Sequence, residues 1–226
     1  MGMRQPRHWA CGVYRRPLAA LFGAVLGALL LLPVAGQAGS GGGTVLKPPR
    51  LVANLSLVDQ HGARVTADSL AGQWTVLFFG FTHCPDVCPT TLARLAGVQR
   101  RLPENIRRQV RFMLVSVDPM RDTPERLAEY VDQFGQDFIG ATAPMGELAP
   151  LLRELGVSYA YTTQPSGEHA GHDAHAHHGS PAYTVTHSET LYVLDPQARF
   201  YAVFTDPTDD YALLRALSTW VGDTSD

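Results

Sequence analysis

The sequence predicts an α/β fold organised around one loop that carries two cysteines. Three observations lead there. Residues 74–79 form a continuous apolar run of aromatic and β-branched type, as expected of a strand covered on both faces. Cys84 and Cys88 follow it directly, and a helical pattern comes next, with Leu92, Leu95 and Val98 on one side. A second strand and helix repeat that order before the chain closes with a strand pair and a last helix.

Taken in order, residues 1–38 read as a signal peptide or an N-terminal membrane anchor. Arg4, Arg7, Arg15 and Arg16 precede an uncharged run over 18–32. Small residues around Ala38 suit a cleavage site, while the run is also near the lower limit for crossing a bilayer. Either way the basic side stays in the cytoplasm and the domain is exported to the periplasmic side. It is then soluble after signal cleavage or anchored to the inner membrane. Residues 39–49, glycine-rich at the start, read as a flexible linker. The domain is expected over 50–222. It opens with a hairpin, 51–58 and 63–66, turned by Gln60-His61-Gly62.

After the cysteine loop a helix is expected over 90–101, with Pro89 keeping Cys88 out of the helical region. Residues 111–117 make the next buried strand. Asp122 and Thr123 read as caps of a helix with Pro124 near its first position. A short strand over 138–141 and a helix over 147–155, closed by Gly156, come next. Residues 162–182 are rich in Gly, Ser, Ala and His without apolar periodicity, and read as an exposed, mobile loop. Strands over 190–194 and 200–204 and a helix over 209–221 complete the order. This is a thioredoxin-like fold with an N-terminal β-hairpin extension and a His-rich loop insertion.

Composition narrows the function. The chain is 45% hydrophobic and 17% charged with a net charge of −3, so no nucleic-acid partner is expected. Cys11 precedes the apolar run and is assigned no role. The exported part keeps Cys84 and Cys88 alone. Their loop is too short for a disulfide to add much stability, so the pair points to chemistry.

That chemistry is first a matter of spacing. Thioredoxins use C-x-x-C, whereas this chain has C-x-x-x-C. Both sulfurs sit near a helix N-terminus, which is expected to favour thiolates. Paired thiolates suit copper(I), zinc or iron–sulfur clusters. Clusters normally need four cysteines. A third ligand is required. His83 should point away from its neighbour Cys84 and serve packing or hydrogen bonding. His187, before a strand that this fold brings beside the cysteine loop, is the better candidate. Two Cys and one His fall one short of a closed zinc site. Zinc with a water or a fourth side chain stays open. A three-coordinate site is more natural for copper(I), and copper(II) would take one more ligand.

Three motifs carry a resemblance. They are Phe79-Gly80-Phe81-Thr82-His83-Cys84-Pro85-Asp86-Val87-Cys88-Pro89-Thr90, then Ser116-Val117-Asp118-Pro119 with Arg121-Asp122-Thr123-Pro124, then Thr186-His187-Ser188 followed by Leu191-Tyr192-Val193-Leu194-Asp195-Pro196. In order and spacing the chain resembles the Sco/SenC family of copper-binding, thioredoxin-fold assembly proteins. The resemblance implies copper held by Cys84, Cys88 and His187. It implies a copper metallochaperone that helps assemble the dinuclear copper site of cytochrome c oxidase subunit II. Other periplasmic copper carriers and a thioredoxin-like reductant are further candidate partners. Asp86 and Asp118 also match motif positions.

One feature departs from the family pattern. His169, His172, His175, His177 and His178 crowd the loop before His187, and read either as a solvated loop or as an auxiliary metal trap. The alternative function is a thiol–disulfide oxidoreductase that keeps the oxidase's copper-ligand cysteines reduced, with Cys84 attacking and Cys88 resolving. The spacing argues against it as the main activity, and Thr186-His187 stands where a thioredoxin has a cis-proline. A peroxidase on this fold would leave His187 unexplained.

Overall fold

The central strand is the apolar run before the cysteines, and a computed structural model shows how the chain surrounds it. The structure describes residues 43–135, 137–163, 183–206 and 208–223. The N-terminal segment and the five clustered histidines lie outside the described residues.

Strands β1 (Thr44–Leu51), β2 (Ser56–Asp59) and β3 (Arg64–Thr66) lead into a single helical turn, α1 (Ala67–Leu70). Strand β4 (Trp74–Gly80) is buried at every position. Helix α2 (Val87–Arg101), the short α3 (Glu104–Arg107) and strand β5 (Val110–Ser116) complete a crossover. Helix α4 (Pro124–Val131), strand β6 (Phe138–Thr142) and helix α5 (Met145–Leu155) come next. Strands β7 (Tyr159–Thr163), β8 (Tyr183–His187), β9 (Leu191–Leu194) and β10 (Arg199–Phe204) precede the last helix, α6 (Asp210–Asp223).

The main sheet runs β1-β10-β9-β4-β5-β6-β2-β3. Strands β4, β5 and β6 are parallel, because helices return the chain across the sheet each time. Strand β9 lies antiparallel on the other side of β4. This is a thioredoxin-like fold, with the β2–β3 hairpin added beyond β6. Helix α5 ends where Gly156 turns left-handed at φ 73°. Among the described residues no helix is long and apolar enough to cross a membrane.

Four local expectations change. Residues 44–51 lie within or beside the stretch read as linker, yet they pair with β10 as an edge strand. Pro48 and Pro49 are tolerated because the register breaks between Val45 and Arg50, and an edge strand can spare ladder donors. Helix α2 starts at Val87, so Cys88 is helical despite Pro89. Proline is its third residue, where a backbone N–H has no intrahelical acceptor to lose. Thr162 and Thr163, read as the start of the mobile loop, belong to strand β7, which pairs with β8 from Tyr159↔His187 to Thr163↔Tyr183. Finally, Thr123 alone caps α4, its side chain accepting from Arg126 N; Asp122 is buried and faces the other way.

Helix α4 packs on β6 at Gly140. A Cβ added there would lie 2.9 Å from Leu127 Cβ and 3.2 Å from Val131 Cγ1. Gly140→Ala is therefore expected to destabilise the domain by about 1–3 kcal/mol through overpacking, read as a lower urea midpoint at unchanged m-value.

Candidate metal centre

The C-terminal ends of the parallel strands β4 and β5 converge on one point. Beyond Gly80 the chain leaves the sheet as the cysteine loop, and Val117 N donates to Gly80 O at 2.8 Å to prolong the pairing. Cys84 N donates to Phe81 O at 3.3 Å, which tightens the loop. Cys88 N then donates to Cys84 Sγ at 3.4 Å, so the five-residue span brings both sulfurs to one side. Gly80 is glycine for a reason of space: a Cβ there would come within 2.9 Å of Cys88 Sγ.

Asp122 holds this loop. Its carboxyl is fully buried and accepts from Thr82 N at 2.9 Å, Thr82 Oγ1 at 2.7 Å and Ser116 Oγ at 2.6 Å. The loop after β4 and the end of β5 are thus fastened to the segment entering α4. His83 stays at the rim, its Nδ1 3.1 Å from Thr82 Oγ1 and 3.7 Å from Asp122 Oδ1. It takes the hydrogen-bonding role expected of it. Asp86 sits at the N-cap of α2 without a side-chain bond to the helix backbone; its Oδ1 accepts from Thr90 Oγ1 at 3.4 Å.

His187 arrives on the last residue of β8. Its Nε2 lies 3.2 Å from Cys88 Sγ, and its Nδ1 lies 3.1 Å from Ser188 O. Phe78 and Phe81 each meet the imidazole edge-on, with ring centroids 5.7 Å away. The ribbon that carries it is pinned by Asp118, which is fully buried. Asp118 accepts from the Tyr183 hydroxyl and pairs with Arg121, while Arg121 lies over the Tyr183 ring at 4.1 Å. The Tyr161 hydroxyl donates to Val117 O from the neighbouring strand. Burial and the bond to Asp118 push the Tyr183 phenol up to about 12, so it remains a donor at neutral pH.

Cys84, Cys88 and His187 therefore form one cluster, with their donor atoms all within 4.8 Å of one another. Around a metal with bonds of about 2.0–2.3 Å, trigonal donors stand about 3.5–4 Å apart, so at most about an ångström of closure is needed. Two thiols and an imidazole without a carboxylate form a soft donor set, matched to copper(I) rather than to hard cations.

The electrostatics correct one expectation. Burial pushes the Cys88 thiol up, with Cys84 and Asp122 adding in the same direction against a bond at Phe81. The helix terminus does not make Cys88 a free thiolate; a bound cation would have to displace its proton. Burial also lowers His187, against smaller opposing contributions from Ser188 and Glu189. Its imidazole stays neutral, as a metal ligand requires.

Beside the cluster lies a groove of about 380 Å³, bordered by Phe81, Cys84, Pro85 and the whole of β8. Cys88 is not on it and is fully buried.

Comparison with known proteins places the chain. The SCO1/SenC family model matches residues 44–222. The chain belongs to the SCO1/SenC family. A Stutzerimonas stutzeri relative named for copper binding is 36% identical over 152 residues, covering 67% of this chain and 68% of that one. The mitochondrial SCO1 homolog 1 of Arabidopsis thaliana is 35% identical over 168 residues, 74% of this chain but 43% of its own length. The chain thus spans less than half of that relative. The crystal structure of Arabidopsis thaliana ScoI with copper bound superimposes with a TM-score of 0.62 at 31% identity, covering 75% of this chain and 96% of that one.

Sequence reading missed the work of Asp122, Arg121 and Tyr183. Asp122 and Arg121 stood in the second motif, but only the fold shows that Asp122 reaches back to Thr82 and that Arg121 meets Tyr183.

Two outcomes are expected. In the reduced, metal-free protein, iodoacetamide near pH 8 should modify Cys84 well ahead of Cys88, because a raised pKa keeps the buried thiol protonated as well as covered; peptide mass spectrometry after timed quenching reads the order. Asp122→Ala strands three buried donors and should cost about 3 kcal/mol or more in denaturant unfolding.

Proposed function

We propose that this protein is a copper carrier that holds the metal through Cys84 Sγ, Cys88 Sγ and His187 Nε2. The observation that carries this reading is the convergence of these three donors from two distant parts of the chain. Membership of a family whose relatives include copper-bound structures supports it. The cargo is delivered to the dinuclear copper site of cytochrome c oxidase subunit II, as the motif resemblance implies. The carrier works on the periplasmic side, placed there by residues 1–38.

The chain's own groups explain how such a site both loads and releases. Neutral His187 offers a lone pair without a proton to displace. Cys88 gives up its proton on binding and regains it on release, so loading weakens as pH falls. Cys84 stands at the groove, where an incoming ligand reaches the metal. Three-fold coordination leaves room for that ligand to attach before an old one departs.

A second reading, reduction of the oxidase's copper-ligand cysteines, is favoured by one contact. The Cys88 N–H donates to Cys84 Sγ at 3.4 Å, which holds the more exposed sulfur beside its resolving partner. Cys84 would attack a partner disulfide and Cys88 would resolve the mixed disulfide.

Copper(I) titration of the reduced full chain, with X-ray absorption to count sulfur and nitrogen ligands, tests the first reading. One tight copper with two sulfurs and one imidazole is expected. His187→Ala should weaken that site at least about tenfold, or about 1.4 kcal/mol. Replacing residues 164–182 by a short Gly/Ser linker should remove only additional weaker sites. Unchanged affinity in His187→Ala together with fast disulfide exchange would overturn the carrier in favour of the reductase.

A further inference from the structure

Strand β8 is paired on one side only among the described residues. Its partner is β7, in the register Tyr159↔His187 to Thr163↔Tyr183. That register puts Ser158 opposite Ser188, and Ser188 N donates to Ser158 O at 2.9 Å. Hydrogen-bonded and non-bonded pairs alternate in an antiparallel ladder. Thr186 and Thr184 therefore turn their backbone groups toward β7, while Tyr183, Val185 and His187 turn theirs away. An independent contact agrees: Arg121 Nη1 approaches Tyr183 O at 3.5 Å.

The outward edge faces the groove beside the metal donors. That groove borders Tyr183, Thr184, Val185, Thr186 and His187, five consecutive residues, and none of β7. Side chains alternate across a strand, so a cavity on one face would meet every second residue. A cavity that meets all five runs along the strand's edge. Away from β8 the groove is lined by Phe81, His83, Cys84, Pro85 and Val87, three apolar residues with the rim histidine and the more accessible sulfur among them. Arg121 at one end and Glu189 near the other leave no strong net charge.

We propose that this groove receives an extended, cysteine-bearing segment of the copper acceptor, which pairs with the outer edge of β8 and takes the metal at Cys84. Backbone pairing supplies register without requiring a particular sequence. Phe81, Pro85 and Val87 offer apolar contact to the residues flanking the cysteine. Exchange is by substitution: the acceptor thiol loses its proton as its sulfur bonds to copper, and Cys84 Sγ takes up a proton as its own bond breaks. The oxidation state of copper is unchanged. Cys88 and His187, off the groove or at its end, release last. This rests on the copper-carrier reading, whose own test is the titration above.

Two arms separate the inferences. The probe is a seven-residue peptide of alternating threonine and valine around a central cysteine, with a serine counterpart and versions N-methylated at alternate residues. With the metal-free full chain, the serine peptide should shift the amide resonances of Val185 and His187, and its N-methylated form should not. With the copper-loaded chain, the plain cysteine peptide should take copper about tenfold faster than its N-methylated form at equal thiol concentration. Val185→Pro removes an outward donor without touching the bonds to β7, and should bring the two rates together. Equal rates in the wild-type chain, or shifts mapping away from β8, overturn the groove assignment even if copper binds as described. Amide shifts on β8 in a chain that binds no copper would uphold the groove and sink the carrier. If Val185→Pro does not fold, the N-methylated peptide decides alone.

Discussion

Two buried carboxyl groups at the end of one strand hold the donor cluster together. Asp118 and Asp122 both follow β5 and both are fully buried. Asp122 reaches back to Thr82 and fixes the cysteine loop. Asp118 reaches across to Tyr183 and fixes the ribbon that ends in His187. The donors themselves are joined weakly before metal binds, by a sulfur–imidazole contact of 3.2 Å. Their mutual placement depends on these anchors. Burying such groups is costly unless they are hydrogen-bonded, and each carboxyl has several partners here.

The same arrangement divides labour between the sulfurs. Cys88 is packed against Gly80 at the end of the central strand, where burial pushes its thiol up. Cys84 lies at the groove. One sulfur belongs to the core and the other to the surface, though only three residues separate them. The carrier proposed above would need both properties, since a site buried throughout would retain its cargo and an open one would lose it.

Much of this was legible in the sequence. The unbroken apolar run of 74–79 marked the central strand, Pro124 after Thr123 marked the start of α4, and Gly156 marked the end of α5. Each signal is local and acts within a few residues. Where the reading departed from the structure, a distant partner decided. Residues 44–51 carry two prolines and look unstructured, yet β10 provides an edge to pair with. Asp122 looks like a cap until Thr82 is brought to it. The β7–β8 ribbon is split by the His-rich stretch, so neither half shows a hairpin turn.

The sequence by itself determined the donor types, their spacing in the cysteine loop and the succession of strands β4 to β6 with the helices that follow them. These follow from side-chain chemistry and from periodicity, which are properties of neighbours along the chain. Only the tertiary structure decided how closely His187 meets Cys88 across 99 positions, that burial pushes the Cys88 thiol up against the pull of the helix terminus, and which edge of β8 faces the metal donors. Burial, pairing register and the reach of Asp118 and Asp122 are properties of neighbours in space, and no local pattern encodes them.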